Sequence, residues 1–161
     1  MLVDSNEREL ENQEILLEAA KQIKDNRYSP DQILAALISE SRQKDTVLIR
    51  QGNTLFIVHK GKNRTAFFRA LNADIPANYL ENSVVFSKAL YMAGFDVMVT
   101  EFNDPSLLNI FKYVQKKRNE VNPDKDGKPT MGYAVQKTEK DGRPGYRVTV
   151  VLGPKRGGQV K

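Results

Sequence analysis

Cysteine and tryptophan are absent from this chain of 161 residues, and histidine occurs once, as His59. Without cysteine there is no disulfide, no thiolate metal site and no cysteine nucleophile. A single histidine also excludes a metal site built from several imidazoles, so we expect no bound metal. No apolar run approaches the roughly 20 residues that span a bilayer, and the acidic start lacks the apolar core of a signal peptide. We therefore expect neither a membrane span nor secretion by a signal peptide.

Charge is distributed unevenly along the chain. Residues 1–45 carry a net charge of −4 and residues 46–161 carry +9, which gives +5 for the whole chain. A basic surface attracts phosphate groups, although a merely solubilising surface is the plainer interpretation. The candidates for contact with nucleic acid are Lys116, Lys117, Arg118, Lys155 and Arg156. Any such binding would be non-specific, because the sequence carries no signature of base reading.

Capping patterns predict two short helices before residue 46. Asp4 and Glu7 have the spacing of an N-cap and the third helical position, and apolar residues then recur at helical intervals through about residue 24. The start of a second helix is indicated by Ser29, Pro30 and Gln32. We expect this acidic pair to pack on the rest of the domain and to offer a docking surface for a protein partner.

After residue 45 the residue types favour β-strands. Segments 46–50, 54–59 and 64–71 are rich in β-branched and aromatic residues and are joined by polar turns. This spacing is typical of an antiparallel meander. The third segment has apolar residues on both faces, so we expect it to be central and covered on both sides.

The second half of the chain alternates helix and strand. A helix opens near Pro76 and ends near Gly94, and the short link to strand 95–102 favours parallel pairing with an earlier strand. A further helix runs into the basic residues described above. A closing hairpin is predicted from strands 131–137 and 145–152 across a polar turn at 138–144, followed by a flexible basic tail at 153–161.

The resulting order of helix, helix, three strands, helix, strand, helix and two strands resembles the GCN5-related N-acetyltransferase (GNAT) fold with its first strand short or absent. The resemblance covers about residues 6–152 and rests on topology more than on motifs. It implies one α+β domain with a mixed, mostly antiparallel sheet flanked by helices. In that domain the helical pair 1–45 packs on the mixed-sheet core 46–152, and the tail 153–161 stays outside.

The resemblance also fixes where a cofactor would bind. In the family, the third strand of the meander runs into a turn of the form Arg/Gln-x-x-Gly-x-Gly/Ala, whose backbone N–H groups hold the pyrophosphate of acetyl-CoA. The equivalent stretch 69–77 reads RALNADIPA and has no glycine; Asp74 adds a negative charge and Pro76 removes a donor. The remaining cofactor-binding candidates are Leu71, Asn72, Ala73 and Ala77. We expect no cofactor unless the chain is an acetyltransferase, which would use acetyl-CoA.

Two catalytic candidates follow from the same resemblance. Tyr113 lies on the helix that carries a tyrosine general acid in the family, and Glu101 lies late in a strand that sometimes carries a base. The plainer interpretations are an aromatic packing beside a helix end and a solvated glutamate. His59 has no obvious serine or carboxylate partner in the sequence, and we expect it to be at the surface or partly buried.

The sequence thus predicts a non-catalytic GNAT-like binding or structural protein. Catalytically reduced domains of this kind occur in tailed bacteriophages, and a small, basic chain without cysteine suits packaging next to DNA. We expect it in the cytoplasm or within a phage virion, with an assembly partner on its N-terminal helices. Two alternatives stay open: an acyl-CoA-dependent N-acetyltransferase with a non-standard cofactor loop, and a non-specific nucleic-acid-binding protein.

Overall fold

The computed structural model describes residues 14, 16, 17, 20, 21, 27–72, 74–121, 131–140 and 142–154. The predictions made for Asp4, Ala73, Lys155 and Arg156 lie outside these residues. The elements are, in chain order, α1 (Pro30–Ser41), β1 (Thr46–Gln51), β2 (Thr54–Lys60), β3 (Thr65–Asn72), α2 (Pro76–Met92), β4 (Val97–Phe102), a 3-10 turn (Pro105–Leu107), α3 (Leu108–Val121), β5 (Gly132–Lys140) and β6 (Arg143–Val151). Residues 14, 16, 17, 20 and 21 are also helical. Among the described residues, no helix has the length and apolar character needed to cross a membrane.

Local capping signals place the helix ends where the sequence predicts them. At the start of α1, the Gln32 backbone N–H donates to Ser29 Oγ at 3.2 Å, and the Ser29 N–H donates to Gln32 Oε1 at 2.8 Å. This reciprocal capping box satisfies two donors that the helix leaves free. At the end of α2, Gly94 has a φ of +105°, a value that favours glycine and ends the helix.

One mixed sheet of six strands organises the domain, in the order β1-β2-β3-β4-β6-β5. β3 and β4 are parallel and every other neighbouring pair is antiparallel, which confirms the predicted α+β architecture and its parallel link. The parallel ladder has only three pairs, from Thr65↔Val97 to Phe67↔Val99. Beyond them the register pairs no residue of 68–72 with 100–102, so a gap opens between the two strands.

The closing hairpin differs from its prediction. The polar segment 138–144 was predicted to be a turn, but Thr138 pairs with Gly145 and the ladder continues to Lys140↔Arg143. Gly142 has a φ of +75°, a left-handed conformation that glycine adopts readily and that favours a short connection between the two strands. Polar residues are tolerated in these strand ends because β5 is an edge strand that faces water.

The main core lies between the sheet and helices α2 and α3. Its centre is aromatic: the rings of Phe56 and Phe86 stack with centroids 3.8 Å apart and planes at 3°, and Phe68 meets Phe86 edge-on at 5.1 Å. Most of the other buried residues there are aliphatic and come from the strands and from both helices. The two helices thus pack on the same face of the sheet.

The opposite face of the sheet is covered over only part of its width. The smaller core cluster there consists of Leu16, Ala20, Leu37, Leu55, Ile57 and Leu71. It joins α1 and the helical residues before it to β2 and the end of β3. The expected cover on both sides of β3 is therefore found at Leu71 but not at Phe67, whose side chain is 38% exposed.

Candidate functional site

A cavity of about 150 Å³ lies at the gap between β3 and β4, on the side of α2 and α3. Its apolar walls include Phe56, Phe68, Phe86, Met98, Phe102 and Phe111. The exposed residues Arg69 and Glu101 also line it, so the cavity opens where the two strands separate. A second cavity of about 260 Å³ on the opposite face shares Phe68, Arg69, Thr100 and Glu101 with the first. The gap therefore reaches both faces of the sheet.

Three hydroxyl groups belong to residues that line the smaller cavity, those of Tyr79, Ser83 and Thr100. The Ser83 hydroxyl donates to the backbone carbonyl of Tyr79 at 2.9 Å. Tyr79 and Thr100 are both partly exposed, and within the described part of the chain no hydrogen bond engages their hydroxyls. Burial raises the pKa of Tyr79 to about 12, because the phenolate would lose its hydration.

The junction between β3 and α2, where the family resemblance places a pyrophosphate, is occupied by the side chain of Asp74. The Asn53 backbone N–H and the Asn82 side-chain amide both donate to Asp74 Oδ2 at 2.8 Å. Asn72 holds the same residue from the other side, since its Oδ1 accepts from the Asp74 N–H at 3.0 Å. Gly52 lies against this network, where a Cβ would come within 2.8 Å of Asp74 Oδ2. The Asn53 and Asn82 donors at this junction are thus directed at the protein's own carboxylate.

Hydrogen bonding keeps this carboxylate ionised. The Asn53 backbone N–H, followed by the Asn82 amide, lowers the pKa of Asp74 below its usual value of 3.8. The negative charge stands directly before α2, and Pro76 at the start of that helix has no N–H to offer. An anion is therefore already present at the place where the resemblance would put a phosphate group.

The lowered pKa of Asp74 predicts a pH dependence of stability. Because the folded-state pKa lies below the unfolded value, the ionised carboxylate stabilises the fold above pH ~4, and this contribution is lost as the pH falls through the folded pKa. Thermal unfolding of Asp74→Asn should show a lower Tm than the wild type at neutral pH and a difference that shrinks towards pH ~3. Asp31→Asn, at an exposed carboxylate in α1, is the control. A difference for Asp74→Asn that stays constant with pH would contradict this account.

The other cofactor-binding candidates have separate environments. Leu71 is 6% exposed and packs in the smaller core cluster on the far face of the sheet. Asn72 belongs to the Asp74 network, and its Oδ1 also accepts from the Thr54 hydroxyl at 2.7 Å. Ala77 is exposed in the first turn of α2. The structure therefore does not bring the described candidates together as one binding loop.

The catalytic candidates are also held apart. The Tyr113 hydroxyl donates to Glu81 Oε1 and thereby connects α3 to α2. This hydrogen bond raises the pKa of Tyr113, and Tyr113 is not among the residues that line the cavity. Glu101 does lie at the cavity mouth, where it faces Arg147 Nε at 3.5 Å. Only one of the two candidates thus reaches the gap between the strands.

His59 has partners that sequence reasoning missed. It is partly buried, as expected, but its Nδ1 lies 2.9 Å from the Thr46 hydroxyl and its Nε2 lies 3.0 Å from Glu40 Oε2. The second carboxylate oxygen of Glu40 accepts from Arg69 Nη1 at 2.5 Å. These contacts join α1 to β1, β2 and β3 across 13 to 29 positions in sequence. Only the strand register, which pairs Thr46 with His59, could have indicated one of them.

The basic run at the end of α3 does not form a single surface. Lys116 is exposed, and Lys117 Nζ lies 3.9 Å from Glu120 Oε2. Arg118 is instead buried, with 6% exposure, and its guanidinium lies 5.9 Å from the centroid of the Tyr91 ring. Contact with phosphate thus stays a prediction for the two lysines. In the described part of the chain, no three acidic or histidine side chains come together to hold a metal ion.

Comparison with known proteins gives structural matches alone. No family model and no curated protein matches this chain. An aminoglycoside 6'-acetyltransferase type Ii matches with a TM-score of 0.59 at 9% identity, over 96% of this chain and 97% of that one. The aminoglycoside 6'-N-acetyltransferase from Enterococcus faecium gives 0.57 at 7% identity over the same shares. The ribosomal-protein-S18-alanine N-acetyltransferase from Escherichia coli gives 0.55 at 8% identity, over 100% of this chain and 97% of that one. At such low identity the matches establish the fold alone. The chain has the fold of the GCN5-related N-acetyltransferases.

Proposed function

We propose that this protein is a non-catalytic binding protein built on the GNAT fold. The observation that carries the proposal is the position of the Asp74 carboxylate, which accepts from Asn53 and Asn82 at 2.8 Å directly before α2. A pyrophosphate at this place would meet a like charge at close range, which is unfavourable. In the part of this junction that the structure describes, the Asp74 carboxylate thus disfavours the anion through which an acyl-CoA would be held.

The position of Tyr113 supports the same conclusion. A general acid must come within hydrogen-bond reach of the leaving group that it protonates. The Tyr113 hydroxyl instead donates to Glu81, which raises its pKa and makes it a weaker acid. Acetyl transfer would need another proton donor at the gap.

Acetyl-CoA is accordingly expected not to bind the wild-type protein. Isothermal titration calorimetry with millimolar acetyl-CoA should give no heat, and a thermal-shift experiment should give no change in Tm. Asp74→Gly removes the carboxylate and adds a glycine of the kind the family uses, so it should gain measurable affinity.

The matched control is Asp104→Gly. Asp104 also caps a helical turn, since its Oδ1 accepts from the Ser106 N–H at 2.9 Å, but it lies at the start of a different element. This variant has the same change in charge and should bind no acetyl-CoA. Clear binding to the wild type would overturn the proposed function.

A second candidate function, an acyl-CoA-dependent N-acetyltransferase with a non-standard cofactor loop, is favoured by one observation. β3 and β4 separate after three residue pairs and leave a cavity of about 150 Å³ at the gap. The calorimetry above distinguishes the two functions, since only the enzyme requires affinity for acetyl-CoA. The protein partner on the N-terminal helices, the phage virion and the contact with nucleic acid stay predictions from charge and element order.

A further inference from the structure

We propose that the smaller cavity between β3 and β4 binds a small, neutral aromatic molecule with one hydroxyl group, of the phenol class. This inference rests on the proposed function in one respect, because a chain that holds no acyl-CoA leaves this cavity free for another ligand. The volume of about 150 Å³ suits a single ring. A protein cavity of this size with apolar walls can accommodate benzene.

The walls favour a planar ring over a flexible chain. The rings of Phe56 and Phe86 are stacked on each other, and Phe68 meets Phe86 at 62° between ring planes. Phe102 and Phe111 form a parallel pair with centroids 5.9 Å apart. Aromatic side chains in such arrangements offer faces and edges to a further ring, whose offset or edge-on contacts are favourable.

Two hydroxyls give the cavity its polar character. Tyr79 on α2 and Thr100 on β4 both line it, and within the residues described neither hydroxyl has a hydrogen-bond partner. Both residues are only partly buried, and a Tyr O–H in a largely apolar site usually pairs with an acceptor. A ligand hydroxyl can donate to one of these groups and accept from the other.

The charges around the cavity favour a neutral ligand. Among the described lining residues, the charged side chains are Arg69 and Glu101. Each is at the mouth and already has a partner of opposite charge, since Arg69 contacts Glu40 and Glu101 faces Arg147. A charged ligand would be buried without compensation, which is unfavourable, whereas a protonated phenol would not.

The test compares phenol with toluene, which has similar shape but no hydroxyl. Ligand-observed NMR titration of the full chain should show binding of phenol, with higher affinity than toluene. Tyr79→Phe should lower the affinity for phenol about three- to ten-fold, the effect of one lost hydrogen bond, and leave the affinity for toluene within about two-fold. Tyr28→Phe, at an exposed tyrosine before α1, is the matched control and should change neither affinity.

A second variant allows the inference to be tested even if Tyr79→Phe does not fold. Thr100→Val keeps the side-chain shape and removes the other hydroxyl. It should also lower the affinity for phenol more than the affinity for toluene. Absence of phenol binding to the wild type, or equal losses for phenol and toluene in both variants, would overturn this inference. If neither phenol nor acetyl-CoA binds, the inference fails and the proposed function stands. If acetyl-CoA binds and displaces phenol, the cavity site stands and the proposed function fails.

Discussion

Replacing Phe56 by alanine should lower the free energy of unfolding by about 3–5 kcal/mol, the usual loss for a fully buried phenylalanine. Phe56 is 1% exposed, and its ring is stacked on Phe86 with centroids 3.8 Å apart. The substitution removes this contact and leaves a hole that the sheet and α2 can only partly close. Urea unfolding followed by circular dichroism measures the change, and the Tm should fall by roughly 6–20 °C.

The matched control for this prediction is Phe67→Ala. Phe67 lies on the neighbouring strand β3 but is 38% exposed on the opposite, uncovered part of the sheet. Because less of its ring is buried, its loss should lower the free energy of unfolding by less than about 2 kcal/mol. Similar losses for both variants would contradict the assignment of the main core to the α2 and α3 side.

Much of the architecture could be predicted from the sequence because its signals are local. The capping box at Ser29 and Gln32, the stop at Gly94 and the turns of the meander each depend on a few neighbouring residues. The parallel pairing of β3 and β4 followed from the length of the link between α2 and β4. These local signals agree with one another, which is why the order of elements was enough to identify the fold.

The geometry of the candidate site could not be predicted in the same way. The sequence indicated that Asp74 brings a negative charge to the cofactor junction, but not that Asn53 and Asn82 would hold it there. Asn53 is 21 positions away and reaches Asp74 through a turn of another hairpin. The early end of the β3–β4 ladder is likewise a feature of two strands distant in sequence, and no local residue pattern marks it.

Arg118 shows that helical periodicity carried more information than composition. It was grouped with Lys116 and Lys117 as a basic run, although its position relative to the buried residues Phe111 and Val114 is that of the same helix face. Spacings of three, four and seven residues direct side chains to one side of a helix. The phase of α3 therefore indicated an inward Arg118, whereas its charge suggested an exposed one.

The burial of Arg118 leads to the second large prediction, a gain in stability for Arg118→Met. Its Nε is buried without a hydrogen-bond partner in the described structure, and burial also lowers the pKa of this guanidinium. An unsatisfied buried donor costs about 1–3 kcal/mol, and methionine fills the same space without a polar atom. We expect the free energy of unfolding to rise by about 1–2 kcal/mol and the Tm by roughly 2–8 °C. Differential scanning calorimetry measures both.

The contacts that Arg118→Met removes are long, since Nη1 lies 3.7 Å from Met131 Sδ and the guanidinium lies 5.9 Å from the centroid of the Tyr91 ring. Nη1 of Arg118 lies 3.5 Å from Ser87 Oγ, but that hydroxyl keeps its own bond to the Val84 carbonyl at 2.8 Å. Lys117→Met is the control, because it removes one positive charge at a partly exposed neighbour and should change stability by less than about 0.5 kcal/mol. A marked loss of stability in Arg118→Met alone would contradict the prediction. It would show that the contacts of the guanidinium with Ser87, Met131 and Tyr91 stabilise the fold by more than its unpaired Nε costs.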